Sequence, residues 1–90
     1  MIYKERLLDI IDSDKFLDMP ASAQLLFFHF LVRSNENGVI TNPKAVIRAC
    51  SLSAEDIKTL VGNSFLEYPA TDGIAITKWN YLTAVNDNAR

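Results

Sequence analysis

The stretch NPKAVIRACSLSAEDIKTLVGN, residues 42–63, decides how this chain folds. Asn42 followed by Pro43 is a helix start. The Asn side chain can accept from a free backbone amide, and Pro suits the first helical position. Val46, Ile47 and Cys50 then share an apolar face, while Lys44 and Arg48, four apart, are neighbours on the opposite one. A second start follows at once. Ser53 reads as an N-cap, Asp56 can answer it in a capping box, and Leu52 before the cap can pack on Ile57. Ile57, Leu60 and Val61 should face inward, and Gly62 should stop the helix. Only Cys50, Ser51 and Leu52 separate the two helices, about the length of a helix-turn-helix connection.

Working outward, residues 4–12 (KERLLDIID) place Leu7, Ile10 and Ile11 at helical spacing among charges. Phe16, Leu17 and Met19 follow on a bent segment ending at Pro20. The next helix should start near Pro20 and run to about Ser34. Its LLFFHFLV is apolar almost all the way round, the mark of a buried helix. Ser22, His29 and Arg33 form its solvent or interface edge, and Phe28, beside Leu25 and Val32, is predicted in the core. NENG breaks the chain and GVIT is a short strand. Downstream, SFLEYP and IAITKW read as two strands joined by a turn over Ala70 to Gly73. Ile74, Ile76 and Lys78 would share one face of the second strand, and Ala75, Thr77 and Trp79 the other. The last residues offer one loose helical turn.

The order predicts an α+β winged helix: a helix-turn-helix with a C-terminal β-hairpin wing, plus an extra N-terminal helix. It forms one domain over 1–90, divided into a helical extension (1–19), a winged-helix core (20–79) and a frayed tail (80–90).

Ninety residues bury roughly 60–65% of their unfolded surface, so the core has little to spare. No apolar run approaches the ~20 residues of a membrane span, and the mixed-charge start is no signal peptide. With one cysteine, no internal disulfide is possible, and a reducing cytoplasm is the expected compartment. One His and one Cys give no metal-ligand cluster, and the three glycines are too far apart for a phosphate loop. No cofactor, metal or catalytic constellation is predicted. His29 lacks a nucleophile or carboxylate partner in the sequence, and Cys50 reads as a small core residue.

The net charge of −2 argues against binding nucleic acid by bulk electrostatics but leaves room for a local basic face. Lys44 and Arg48 on one helix, Lys58, Thr59 and Asn63 on the next, and Lys78 at the hairpin end are the candidate DNA contacts. The wing segment PATDG adds no cation. Glu55 and Asp56 open the second helix, where they would repel phosphate but stabilise the helix dipole. In the N-terminal helix, Ile2, Tyr3, Leu7, Leu8 and Ile11 exceed what one face of a short helix usually hides. They are the candidate oligomer contacts, unless the helix simply packs across the core. Both can hold.

The run from residue 9 to 79 resembles the N-terminal domain of phage replisome organisers from Firmicutes, which are similar to helicase-loading initiation proteins. The matching pieces are Asp12-Ser13-Asp14 with Phe16-Leu17, Ser22-Ala23-Gln24, Phe28-His29 and Asn42-Pro43-Lys44. Ala54 to Leu60 and the strand ending in Trp79 match more loosely. The resemblance implies a winged helix in a phage or prophage replication protein, one that binds origin DNA, self-associates and meets a helicase loader or another replication protein. After Trp79 the family continues with a His-Asn-Tyr stretch and basic residues, whereas this chain has NYLTAVNDNAR. DNA binding, protein docking and, least of all, catalysis are thus the functions to separate.

Overall fold

The computed structural model describes residues 2–70 and 73–83. Helices α1 (Lys4–Ile11), α2 (Asp14–Leu17) and α3 (Ala21–Arg33) precede strand β1 (Val39–Ile40). Helices α4 (Pro43–Cys50) and α5 (Ala54–Gly62), strands β2 (Leu66–Ala70) and β3 (Gly73–Ile76), and helix α6 (Trp79–Thr83) follow among the described residues. The strands form an antiparallel sheet in the order β1-β3-β2. The fold is therefore α+β, with helices packed on one small sheet.

The caps read from the sequence are in place. Asn42 Oδ1 accepts from the Ala45 amide at 3.4 Å, with Pro43 in the first helical turn. Ser53 Oγ accepts from the Glu55 amide at 3.1 Å, and the Ser53 amide donates to Asp56 Oδ2 at 3.3 Å. The turn between α4 and α5 is made by Ser51, at φ 58°. Gly62 is only the last helical residue of α5; the left-handed step falls on Ser64, φ 67°. The segment 14–17 is a helical turn rather than a bend, because Ser13 Oγ accepts from the Phe16 amide at 3.2 Å.

The core joins all the elements. Phe16 is 1% exposed and meets Phe27, Phe28 and Phe65 edge to face, with centroids 5.3–6.0 Å apart. Ala23, Leu26, Phe27, Phe30 and Leu31 of α3 are buried, as are Leu60, Leu66, Ile74, Ile76 and Leu82. The reading of α3 as buried all round needs correction. Leu25 and Val32 are 48% and 75% exposed, and Phe28 is only half-buried. The core takes one face of the helix, and seven apolar residues among eight successive positions cannot all fit on it.

The end of the hairpin also differs. β3 stops at Ile76, so the strand alternation never reaches Lys78 or Trp79. Lys78 is exposed in a turn, and Trp79 opens α6. Trp79 Nε1 donates to the Glu36 carbonyl at 3.0 Å, and its ring lies over buried Gly38. Residues 71 and 72 of the expected hairpin turn, and 84–90 of the expected tail, lie outside the described residues.

The first and last helices are latched together. The Tyr3 amide donates to the Leu82 carbonyl at 2.9 Å, and Arg6 Nη1 to the Tyr81 carbonyl at 3.1 Å. The Tyr81 hydroxyl donates to Asp9 Oδ2 at 2.6 Å. The Arg6 guanidinium lies 5.7 Å from the Tyr3 ring centroid and 5.3 Å from that of Tyr81, within range of a cation–π attraction.

Candidate nucleic-acid interface

Helices α4 and α5 flank an open groove of about 500 Å³. Lys44 and Lys58 stand among its lining residues, with Ile47, Ile57, Val61 and Tyr68. Lys44 and Arg48 are exposed on α4, a helix without an acidic residue. Lys58 Nζ lies 3.3 Å from Glu55 Oε2, with both side chains about three-quarters exposed (76% and 77%). So open a pair is worth roughly 0–1 kcal/mol, and an incoming phosphate could displace the glutamate at little cost.

Asp56 does not face outward. It is 7% exposed, and its Oδ1 accepts from Ser22 Oγ at 2.7 Å while Oδ2 holds the Ser53 amide. The acidic residue that would most oppose DNA is thus a tie between the starts of α3 and α5. It also occupies the amino end of α5, where an anion would otherwise sit.

Five of the six candidate DNA contacts separate into two sets, and Thr59 lines neither hollow. Lys44 and Lys58 share the α4–α5 groove, with Arg48 one turn along from Lys44. Asn63 and Lys78 instead line a second hollow of about 430 Å³, shared with Asp9, Lys15 and Tyr81. Thr59 Oγ1 donates to the Glu55 carbonyl at 3.1 Å, and Asn63 Nδ2 to the Thr59 carbonyl at 2.9 Å. Both side chains are engaged with their own helix. Sequence spacing gave no sign of this division, because it follows from where the chain turns after β3.

The candidate oligomer contacts also divide. Ile2, Leu7 and Ile11 are half-buried against the core, while Tyr3 and Leu8 stay 45% and 39% exposed. His29 is half-buried, its Nδ1 2.9 Å from Arg33 Nη1, which also donates to the His29 carbonyl. Cys50 is half-buried at the edge of the core. Among the described residues, no group of three or more His, Cys, Asp or Glu could hold a metal, and no helix is long and apolar enough to cross a membrane.

Among the described residues, Tyr81 is the titratable group with a clear shift. Its hydrogen bond to Asp9, then desolvation, then the negative charge of Asp9 raise the phenol above its ordinary 10, while Arg6 works the other way. In the unfolded chain the phenol ionises near 10. The latch therefore contributes fully below that pH, and its contribution falls as pH rises from there through the raised folded value. Melting midpoints measured across this alkaline range should fall less steeply for Tyr81→Phe than for the parent. Parallel curves would show that the latch adds nothing.

No protein-family model matches the chain, and no match was found among curated proteins or solved structures.

Proposed function

We propose that the chain is a winged-helix module of a phage or prophage replication initiator, binding DNA weakly through the α4–α5 face and self-associating. Several observations support the winged-helix reading. The elements run helix, strand, helix, helix, hairpin; the strand order is β1-β3-β2; and a tight turn joins α4 to α5. The replication context rests on the resemblance at residues 9–79.

The observation that carries the DNA reading is charge. Lys44 and Lys58 line one groove, Arg48 lies a turn along α4 from Lys44, and the one exposed acid on α4 and α5 is Glu55, because Asp56 is buried. On an acidic chain this is a local cationic surface. Three phosphate contacts predict a slope of about −2.7 in log affinity against log salt, with dissociation constants of roughly 10⁻⁴ to 10⁻⁶ M. Such affinity becomes useful only when several sites are linked.

The test is a titration of labelled duplex and single-stranded DNA at two salt concentrations. Binding should weaken with that slope, and Lys44→Glu with Arg48→Glu should abolish it without lowering the melting midpoint, since both side chains are exposed. Unchanged binding by the double variant would remove α4 from the interface.

One observation favours a second reading. Ile47, Ile57, Val61 and Tyr68 make the α4–α5 groove largely apolar, and Tyr68 is 58% exposed. A replication partner, such as a helicase loader, docking there would bind in a salt-insensitive way and lose affinity on Tyr68→Ala.

A further inference from the structure

The outer face of α3 is an apolar seam. Ala21, Leu25, Phe28 and Val32 follow one another at spacings of four, three and four, so they fall in one line along the helix. In a helix packed on its own core, such a line belongs inside. Here the core takes the opposite face, through Ala23, Leu26, Phe27, Phe30 and Leu31. The seam is left with Leu25 48% and Val32 75% exposed, Ala21 exposed and Phe28 half-buried. Val32 is the most exposed of the large apolar residues on the described surface.

The flanks of the seam say what covers it. Helix α3 carries no acidic residue, and its one basic residue, Arg33, is exposed in the last turn. The acids lie just before its other end, where Asp14 and Asp18 are exposed. Leu17, 54% exposed, lies beside the same end, since Gln24 Nε2 donates to the Leu17 and Met19 carbonyls at 3.2 and 2.9 Å. Arg33 and Asp18 thus stand at opposite ends of an apolar seam, while the other exposed charges near its ends are Lys15, which lines the hollow beside Asp9 and Tyr81, and Glu36, three residues past Arg33. The placing of Arg33 and Asp18 is complementary to itself turned end for end.

We propose that a second copy of this chain covers the seam, in a two-fold dimer with the two α3 helices antiparallel. The 4-3-4 spacing fixes the register. Leu25 lies opposite the partner's Phe28, Ala21 opposite the partner's Val32, and Arg33 passes the partner's Pro20 towards the partner's Asp18. Small Ala21 leaves room for Val32 at both ends of the contact. The antiparallel arrangement also sets each helix's positive end against the other's negative end. A two-fold contact of this kind closes on itself and stops at two copies.

This proposal deepens the self-association within the proposed function and moves it from α1 to α3. Its seam residues are none of those that line the α4–α5 groove, so a dimer keeps two copies of the candidate DNA face. The contact is small. A 13-residue helix is about 20 Å long, so its area falls short of the ~800 Å² per partner of a standard interface. The dimer should accordingly form in the micromolar range.

Sedimentation equilibrium of the whole chain, without DNA, tests the proposal, and its outcome does not depend on whether DNA binds. The parent should pass from monomer to dimer and no further. Val32→Glu should weaken the dimer at least about 100-fold while leaving the melting midpoint nearly unchanged, since the side chain is already in solvent. Leu8→Glu on α1 should leave the dimer intact. Arg33→Asp should weaken it, and adding Asp18→Arg to the same chain should restore it, because the register pairs those two positions. A parent that stays monomeric up to about 1 mM, a Val32→Glu chain that dimerises like the parent, or dissociation by Leu8→Glu alone would each overturn the proposal.

Discussion

Phe16→Ala is expected to lower the melting midpoint by tens of degrees. Phe16 is 1% exposed, and its ring meets three other phenylalanines, two from α3 and Phe65 just before β2. Truncating a buried phenylalanine costs about 3–5 kcal/mol. A chain of 90 residues has a total stability of only about 5–13 kcal/mol. At roughly 4–8 °C per kcal/mol for a domain of this size, the midpoint falls by about 12–40 °C. The same change at Phe28 should cost clearly less, because that ring is half-buried and its neighbours on the outer face are exposed. Thermal melts of the two variants, followed by circular dichroism, check the order. A Phe16→Ala midpoint within a few degrees of the parent would show that α2 is not anchored to the core.

Gly38→Ala is expected to be nearly as damaging, for a different reason. Gly38 has φ +76°, a conformation that costs other residues about 1–2 kcal/mol. A Cβ there would also run into Trp79, 2.6 Å from its Cδ2 and 2.7 Å from its Cβ. The indole cannot yield without giving up its bond to the Glu36 carbonyl. Adding the strain of an overpacked contact, about 1–3 kcal/mol, brings the expected loss to about 3 kcal/mol. Gly62→Ala is the control. Nothing lies within 4 Å of the added carbon, and the residue is helical. That substitution should be neutral or stabilise by up to about 1 kcal/mol. Denaturant melts of both variants, with the tryptophan fluorescence as probe, give the comparison. Equal effects at the two glycines would mean that Trp79 does not sit over Gly38.

Local chemistry made the middle of the chain readable. Asn42-Pro43 and the Ser53–Asp56 box specify helix starts through bonds within three residues, and both are found as read. The order of helices and strands followed from those starts. What the sequence left hidden depends on distant neighbours. In α3 an apolar residue at position 25 looks the same as one at 26, and only the side on which the sheet and α5 lie separates them. Trp79 reads as a strand residue by alternation, but it leaves the strand to cover a glycine 41 positions earlier in the chain. Asp56 was legible as a cap but not as the partner of Ser22, since that hydrogen bond spans 34 residues. The division of the basic candidates arises in the same way. Lys78 looked continuous with the hairpin until the turn before α6 carried it to another hollow.

The latch between α1 and α6 bears on the order in which the molecule assembles. Its side-chain bonds join residues 72 and 75 apart in the chain. Drawing those ends together before the rest is formed means closing a loop of almost the whole chain, with the attendant entropy loss. Once β3 has joined β1 and β2, the core has already shortened that loop, and the same bonds form at much lower cost. The latch is therefore expected to form at the end of folding and to open at the beginning of unfolding, by local fluctuations that leave the phenylalanine cluster intact.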